Sequence, residues 1–82
     1  MKLIVLTPEK EYFNGSVNRV VVPGKKGEFE ILDNHAPIIS SLGSGRVQII
    51  EASGKKEFTI NAGFIEVLNN EVALLVNGLN DE

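Results

Sequence analysis

Apolar residues in this chain come in short runs rich in Val, Ile and Phe, and Gly, Pro, Asn and Ser break the runs apart. That punctuation predicts strands rather than helices. The predicted strands cover residues 3–7, 11–13, 16–22, 28–32, 38–41, 45–52, 55–61, 64–68 and 72–76. Turn signals stand between them: Asn14-Gly15, Pro23-Gly24, Ser53-Gly54 and Asn69-Asn70. Asn and Gly supply the positive φ that tight hairpins require. No window of eleven or more residues holds a 3.6-residue period, which argues against a long helix. Many short strands with turns between them predict an all-β fold, a flattened sandwich or barrel.

Alternation within the strands sorts their faces. Phe58, Ile60 and Ala62 share one parity, and Glu57, Thr59 and Asn61 the other. Val47 and Ile49 point inward, Arg46 and Gln48 outward, and Ile50 then falls on the outward side. Val21 opposes Val20 and Val22, while Ala73 and Leu75 oppose Val72, Leu74 and Val76. Ile38 and Ile39 cannot both enter one core layer, because neighbours on a strand face opposite ways. Apolar residues from four strands are therefore expected outside the core. Contiguous apolar surface marks an interface. Scattered surface hydrophobes are the plainer alternative.

Length and charge narrow the function. With 82 residues, the chain reads as a single domain over 1–82. Its net charge is -3, and Lys25-Lys26 and Lys55-Lys56 are two pairs rather than a basic stripe, so nucleic acid is not an expected partner. The absence of cysteine excludes disulfides, thiolate metal sites and a cysteine nucleophile. The apolar run at 3–6 is far short of the roughly 20 residues that cross a bilayer, so direct membrane insertion is not expected. Asn80, Asp81 and Glu82 read as a frayed acidic tail.

Charge and turn chemistry concentrate in one stretch, residues 20–37, VVVPGKKGEFEILDNHAP. It holds the only histidine, His35. A lone histidine has no second ligand for a metal and no nucleophile to serve, so it reads as the brace of a turn or part of an interface. Glu28 and Glu30 share one strand face about 7 Å apart. No cleft is signalled around them, which leaves a solvated face or an acidic docking edge. Gly24-Lys25-Lys26-Gly27 lacks the spacing of a phosphate loop and reads as a hairpin turn. Small β-domains that carry lipoate or biotin attach it to a hairpin lysine, so a carrier with a modified Lys25 or Lys26 is an alternative by analogy of fold. Asn34 tolerates the left-handed region and Pro37 restricts Ala36, so residues 33–37 should form a rigid turn.

In order and spacing, three motifs resemble one family, the N-terminal β-sandwich domain of the epsilon subunit of F-type ATP synthase, called delta in mitochondria. They are Thr7-Pro8-Glu9 followed by Phe13-Asn14-Gly15, then residues 20–37, then residues 62–72, AGFIEVLNNEV. The chain departs from the family pattern at Glu30 and Ala62, where glycine is usual, and at Asp33-Asn34, where Pro-Gly is usual. The resemblance implies a flattened sandwich of about ten short strands and a non-catalytic part of the central stalk. Its partners would be the gamma subunit and the c-ring, coupling proton-driven rotation to ATP synthesis without a cofactor. Glu28, Phe29 and Glu30 would meet the c-ring. His35, Ala36, Pro37 and Ile38, with part of the apolar face, would meet gamma. The location would be peripheral, at the cytoplasmic face of a bacterial plasma membrane or its organellar equivalent. The chain stops near where longer members begin a C-terminal helical hairpin, so it resembles the short forms or else a truncated longer one, and ATP binding is not expected of it.

Overall fold

A computed structural model describes residues 1–81. Nine strands appear in it: β1 (Lys2–Leu6), β2 (Glu11–Ser16), β3 (Arg19–Gly24), β4 (Gly27–Leu32), β5 (Ile38–Leu42), β6 (Gly45–Glu51), β7 (Gly54–Ile60), β8 (Ala62–Leu68) and β9 (Glu71–Asn77). Each matches one predicted segment, and no helix is present among the described residues. None therefore is long and apolar enough to cross a membrane.

The strands form one sheet in the order β2-β1-β9-β8-β5-β3-β6-β7, with β4 added on β3. All pairs are antiparallel except β1 with β9. Strand β3 joins the halves: its residues Arg19 to Val21 pair with β6, and Gly24 alone pairs with Leu42 of β5. The sheet curls at that fork, so the inward side chains of both halves enter a single core. Val5, Val20, Val22, Ile31, Val47, Ile49, Ile65 and Leu74 are fully excluded from solvent there. Among the described residues, no charged or polar side chain is buried with them. The core side chains thus contribute through apolar burial, at about 25 cal/mol per Å² removed from water.

The far ends of the sheet also meet. Tyr12 of β2 packs edge-on against Phe58 of β7, with ring centroids 5.1 Å apart. A register shift between Val5 and Leu6 leaves Tyr12 bulged, so that both Tyr12 and Phe13 lean on the core. Residues 80 and 81 strap this seam. Asn80 pairs with Thr59 of β7, and the Tyr12 hydroxyl donates to Asp81 at 3.0 Å. Burial, together with the Asp81 carboxylate beside it, holds the Tyr12 phenol above its ordinary pKa. Asn80 and Asp81 are therefore not the frayed tail expected from their composition; Glu82 lies outside the described residues.

Three turn readings also need correction, the smallest at Ser53-Gly54, where Gly54 already pairs with Glu51 and the turn falls on Ala52 and Ser53. Asn14-Gly15 continues β2, because Gly15 lies opposite Leu3 in the ladder; the chain reverses at Val17-Asn18 instead. Pro23-Gly24 continues β3, and the turn falls on Lys25 and Lys26. Asn69 and Asn70 turn as read, with φ of 52° and 61°, the signature of a type I′ hairpin. Ala62 does not share the inward face with Phe58 and Ile60. The strand breaks at Asn61, parity resets, and Ala62 is exposed on β8.

Gly78 needs its glycine for two reasons. Its φ is +70°, and a Cβ there would run into the Asn61 side chain. Gly78→Ala should cost about 1–2 kcal/mol. A thermal melt checks this, and an unchanged melting temperature would contradict it.

Candidate docking surfaces

Because one core serves both halves of the sheet, their outer faces point away from each other. Sequence alternation places different chemistry on each.

The outer face of β4-β3-β6-β7 is charged. Cross-strand register sets Glu30 beside Val21, and Val21 beside Gln48, which in turn neighbours Glu57. Arg46 of β6 reaches both ways: its Nη2 lies 3.3 Å from Glu28 of β4, and its Nε 3.3 Å from Glu57 of β7. Arg19 pairs with Glu30 at 3.3 Å, and Gln48 donates to Glu57 at 2.9 Å. All these charges stay about half exposed, so each pair is worth roughly 0–1 kcal/mol. The two glutamates singled out from sequence thus come together on one face, each held by an arginine. Phe29 alternates with them and leans against the core. Val21 and Ile50, expected outward, do face this side but are half buried.

The outer face of β1-β9-β8-β5 is apolar. One row across the strands runs Leu6, Leu75, Phe64, Ser41. The next runs Ile4, Ala73, Glu66, Ile39. Directly opposed side chains of this kind sit about 5 Å apart, so these rows are contiguous surface. Ile39 is 75% exposed and Phe64 56%, with Leu68 and Leu75 about half exposed. A groove of ≈ 390 Å³ opens beside Glu66, lined by Lys2, Ile4, Leu68, Glu71 and Ala73. A second, of ≈ 480 Å³, runs past Leu6, Phe64 and Leu75 to Lys25 at the tip of the β3–β4 hairpin. Sequence reasoning missed Phe64 and Leu68. Their alternation with Ile65 and Val67 was available as the signal.

The turn at 33–37 closes one end of the sandwich. Asn34 has φ of 64°, as its side chain allows, and its N–H donates to the Asn70 side chain at 2.7 Å. Asp33 accepts from the Met1 ammonium at 2.8 Å. The His35 N–H donates to the Leu32 carbonyl at 3.2 Å, and the His35 ring Nδ1 lies 2.7 Å from the Ala36 carbonyl oxygen. Facing an acceptor, that nitrogen carries the proton, and the ring braces the turn as read. Ala36 and Pro37 are exposed. Ile38 packs against the core, and its neighbour Ile39 is the residue that faces out.

Residues 1–80 match the family described as the ATP synthase delta/epsilon chain β-sandwich domain. The ATP synthase epsilon chain of Leptospira borgpetersenii is 40% identical over 77 residues, covering 94% of this chain and 61% of that one. This chain thus spans under two thirds of that relative's length. The epsilon chain of Chlorobium limicola is 40% identical over 75 residues, covering 90% of this chain and 85% of that one. In fold, a chain from the central stalk and c-ring structure of the Tetrahymena thermophila mitochondrial ATP synthase superposes with a TM-score of 0.87. That pair is 23% identical, covering 98% of this chain and 65% of the other.

Proposed function

Because this chain belongs to the family of ATP synthase delta/epsilon chain β-sandwich domains, we propose that it works as a non-catalytic, peripheral part of a rotary ATP synthase stalk. Its task is to hold the gamma subunit and rest against the c-ring, so that proton-driven rotation of the ring reaches the catalytic head. A coupling part needs a stiff body and two surfaces that cannot be confused. The observation that carries this reading is the segregation of the two outer faces, one apolar around Phe64 and Ile39, the other charged around Arg46.

The apolar face suits gamma, where buried aromatic and aliphatic anchors supply most of the affinity. His35, Ala36 and Pro37 end the same half of the sheet and extend that contact, while Ile38 supports them from the core side. Glu28, Phe29 and Glu30 suit the c-ring loops. Their carboxylates are already paired to arginines, so they offer a polar register rather than a strong bond. ATP binding and a prosthetic group play no part in this reading. Lys25 lines the apolar groove beside Phe64, which supports a part in docking over a carrier role.

Co-expression with the gamma subunit of the same organism should yield a complex that survives purification. A chain that stays alone with micromolar gamma present would overturn the reading.

A further inference from the structure

Resting on the docking of the apolar face to gamma, we propose that Glu66 is the polar key of that interface. It receives an arginine or lysine whose aliphatic stem lies in the groove between Ile4, Leu68 and Ala73.

Glu66 is a carboxylate set in the middle of an apolar surface. Ala73 and Ile39 lie directly across from it on the two neighbouring strands. Phe64 and Leu68 flank it along β8, on the same side of the sheet. The other face treats its carboxylates differently, since Glu28, Glu30 and Glu57 each have an arginine. The Glu66 carboxylate makes no hydrogen bond or ion pair among the described residues. In the free domain water satisfies it.

Docking changes that balance. A partner surface that covers Phe64, Ile39 and Leu68 also strips water from the carboxylate between them. An uncompensated charge in such a place is strongly unfavourable. A cation from the partner removes the penalty and fixes the register of the two surfaces. The groove beside Glu66 has the shape for one. Its walls are aliphatic, which suits a lysine or arginine stem, and its charged lining is two carboxylates, Glu66 and Glu71, against one lysine, Lys2. A partner offering an acidic or purely apolar surface at this point is rejected, so the same residue supplies specificity.

The test uses the full chain and the gamma subunit of the same organism, with affinity measured by titration calorimetry. Glu66→Gln should weaken binding about tenfold or more, and Glu66→Lys should weaken it further. Glu9→Gln, which removes the same charge from the β1–β2 turn, should bind as the wild type does. Since Glu66 is exposed in the free domain, both of its variants should melt with the wild type. If the wild type binds gamma and Glu66→Gln binds equally well, the inference fails while the docking reading stands. A loss of binding matched by a lowered melting temperature would also count against it. If the wild type does not bind gamma, the docking reading itself fails and carries this inference with it.

Discussion

Ile65→Ala should lower the unfolding free energy by about 2–5 kcal/mol. The Ile65 side chain is fully buried, pointing inward from the middle of β8. Its residue partners are Leu74 on β9 and Ser40 on β5, so strands pair with it on both sides. A ladder fixed on two edges cannot close around a lost side chain, and the cavity remains. A domain this small falls in the lower part of the usual range of about 5–15 kcal/mol, so the change is a large share of the whole. Urea denaturation would read it as a lower midpoint at constant slope. Phe64→Ala is the internal comparison, since Phe64 is the preceding residue and faces out. If its midpoint fell as far as that of Ile65→Ala, the inward and outward assignment of β8 would be wrong.

The second large effect separates two adjacent isoleucines. Ile39→Ser should leave stability within about 0.5 kcal/mol of the wild type. It should weaken gamma binding by about 2 kcal/mol, roughly thirty-fold. Ile38→Ser should do the reverse, costing about 1–3 kcal/mol of stability. The cause is the pleat of β5. Ile38 packs on the core, and Ile39 stands on the apolar face opposite Glu66. Melting curves and calorimetric titrations of both variants decide the matter. Equal stability losses at the two positions, or full binding by Ile39→Ser, would remove Ile39 from the interface.

The number and approximate position of the strands were legible, because Gly, Asn and Pro mark the ends of short apolar runs. So were the inward sides of β3, β6 and β9, where alternation is regular. Reading parity through Asn61 failed at Ala62, since a turn resets the alternation and the sequence does not announce it. At Asn14-Gly15 a dipeptide well suited to a turn is overruled by pairing with Leu3, a contact set by β1. Asn80 and Asp81 look like a tail until their distant partners, Thr59 and Tyr12, are in place. For the docking surfaces, parity showed that Ile38 and Ile39 must part but not which one turns inward. The pairing of Arg46 with both Glu28 and Glu57 depends on the order of β4, β3, β6 and β7, and strand order is a long-range property that local patterns do not hold.

The parallel contact between β1 and β9 has a bearing on how the protein is made. Of the nine strands, β1 leaves the ribosome first and β9 last. Met1 to Leu6 can form its hairpin with β2 early, yet its other edge must wait until Glu71 to Asn77 arrives. Closing a loop of that length before any contact rewards it is slow. The sheet therefore cannot close until β9 has emerged, and the nascent chain carries an open strand edge until then. A stalled or shortened message ending before residue 71 would release a chain with β1 and β8 unpaired on the sides that β9 should fill, a substrate for chaperones or for aggregation rather than a smaller version of the same fold.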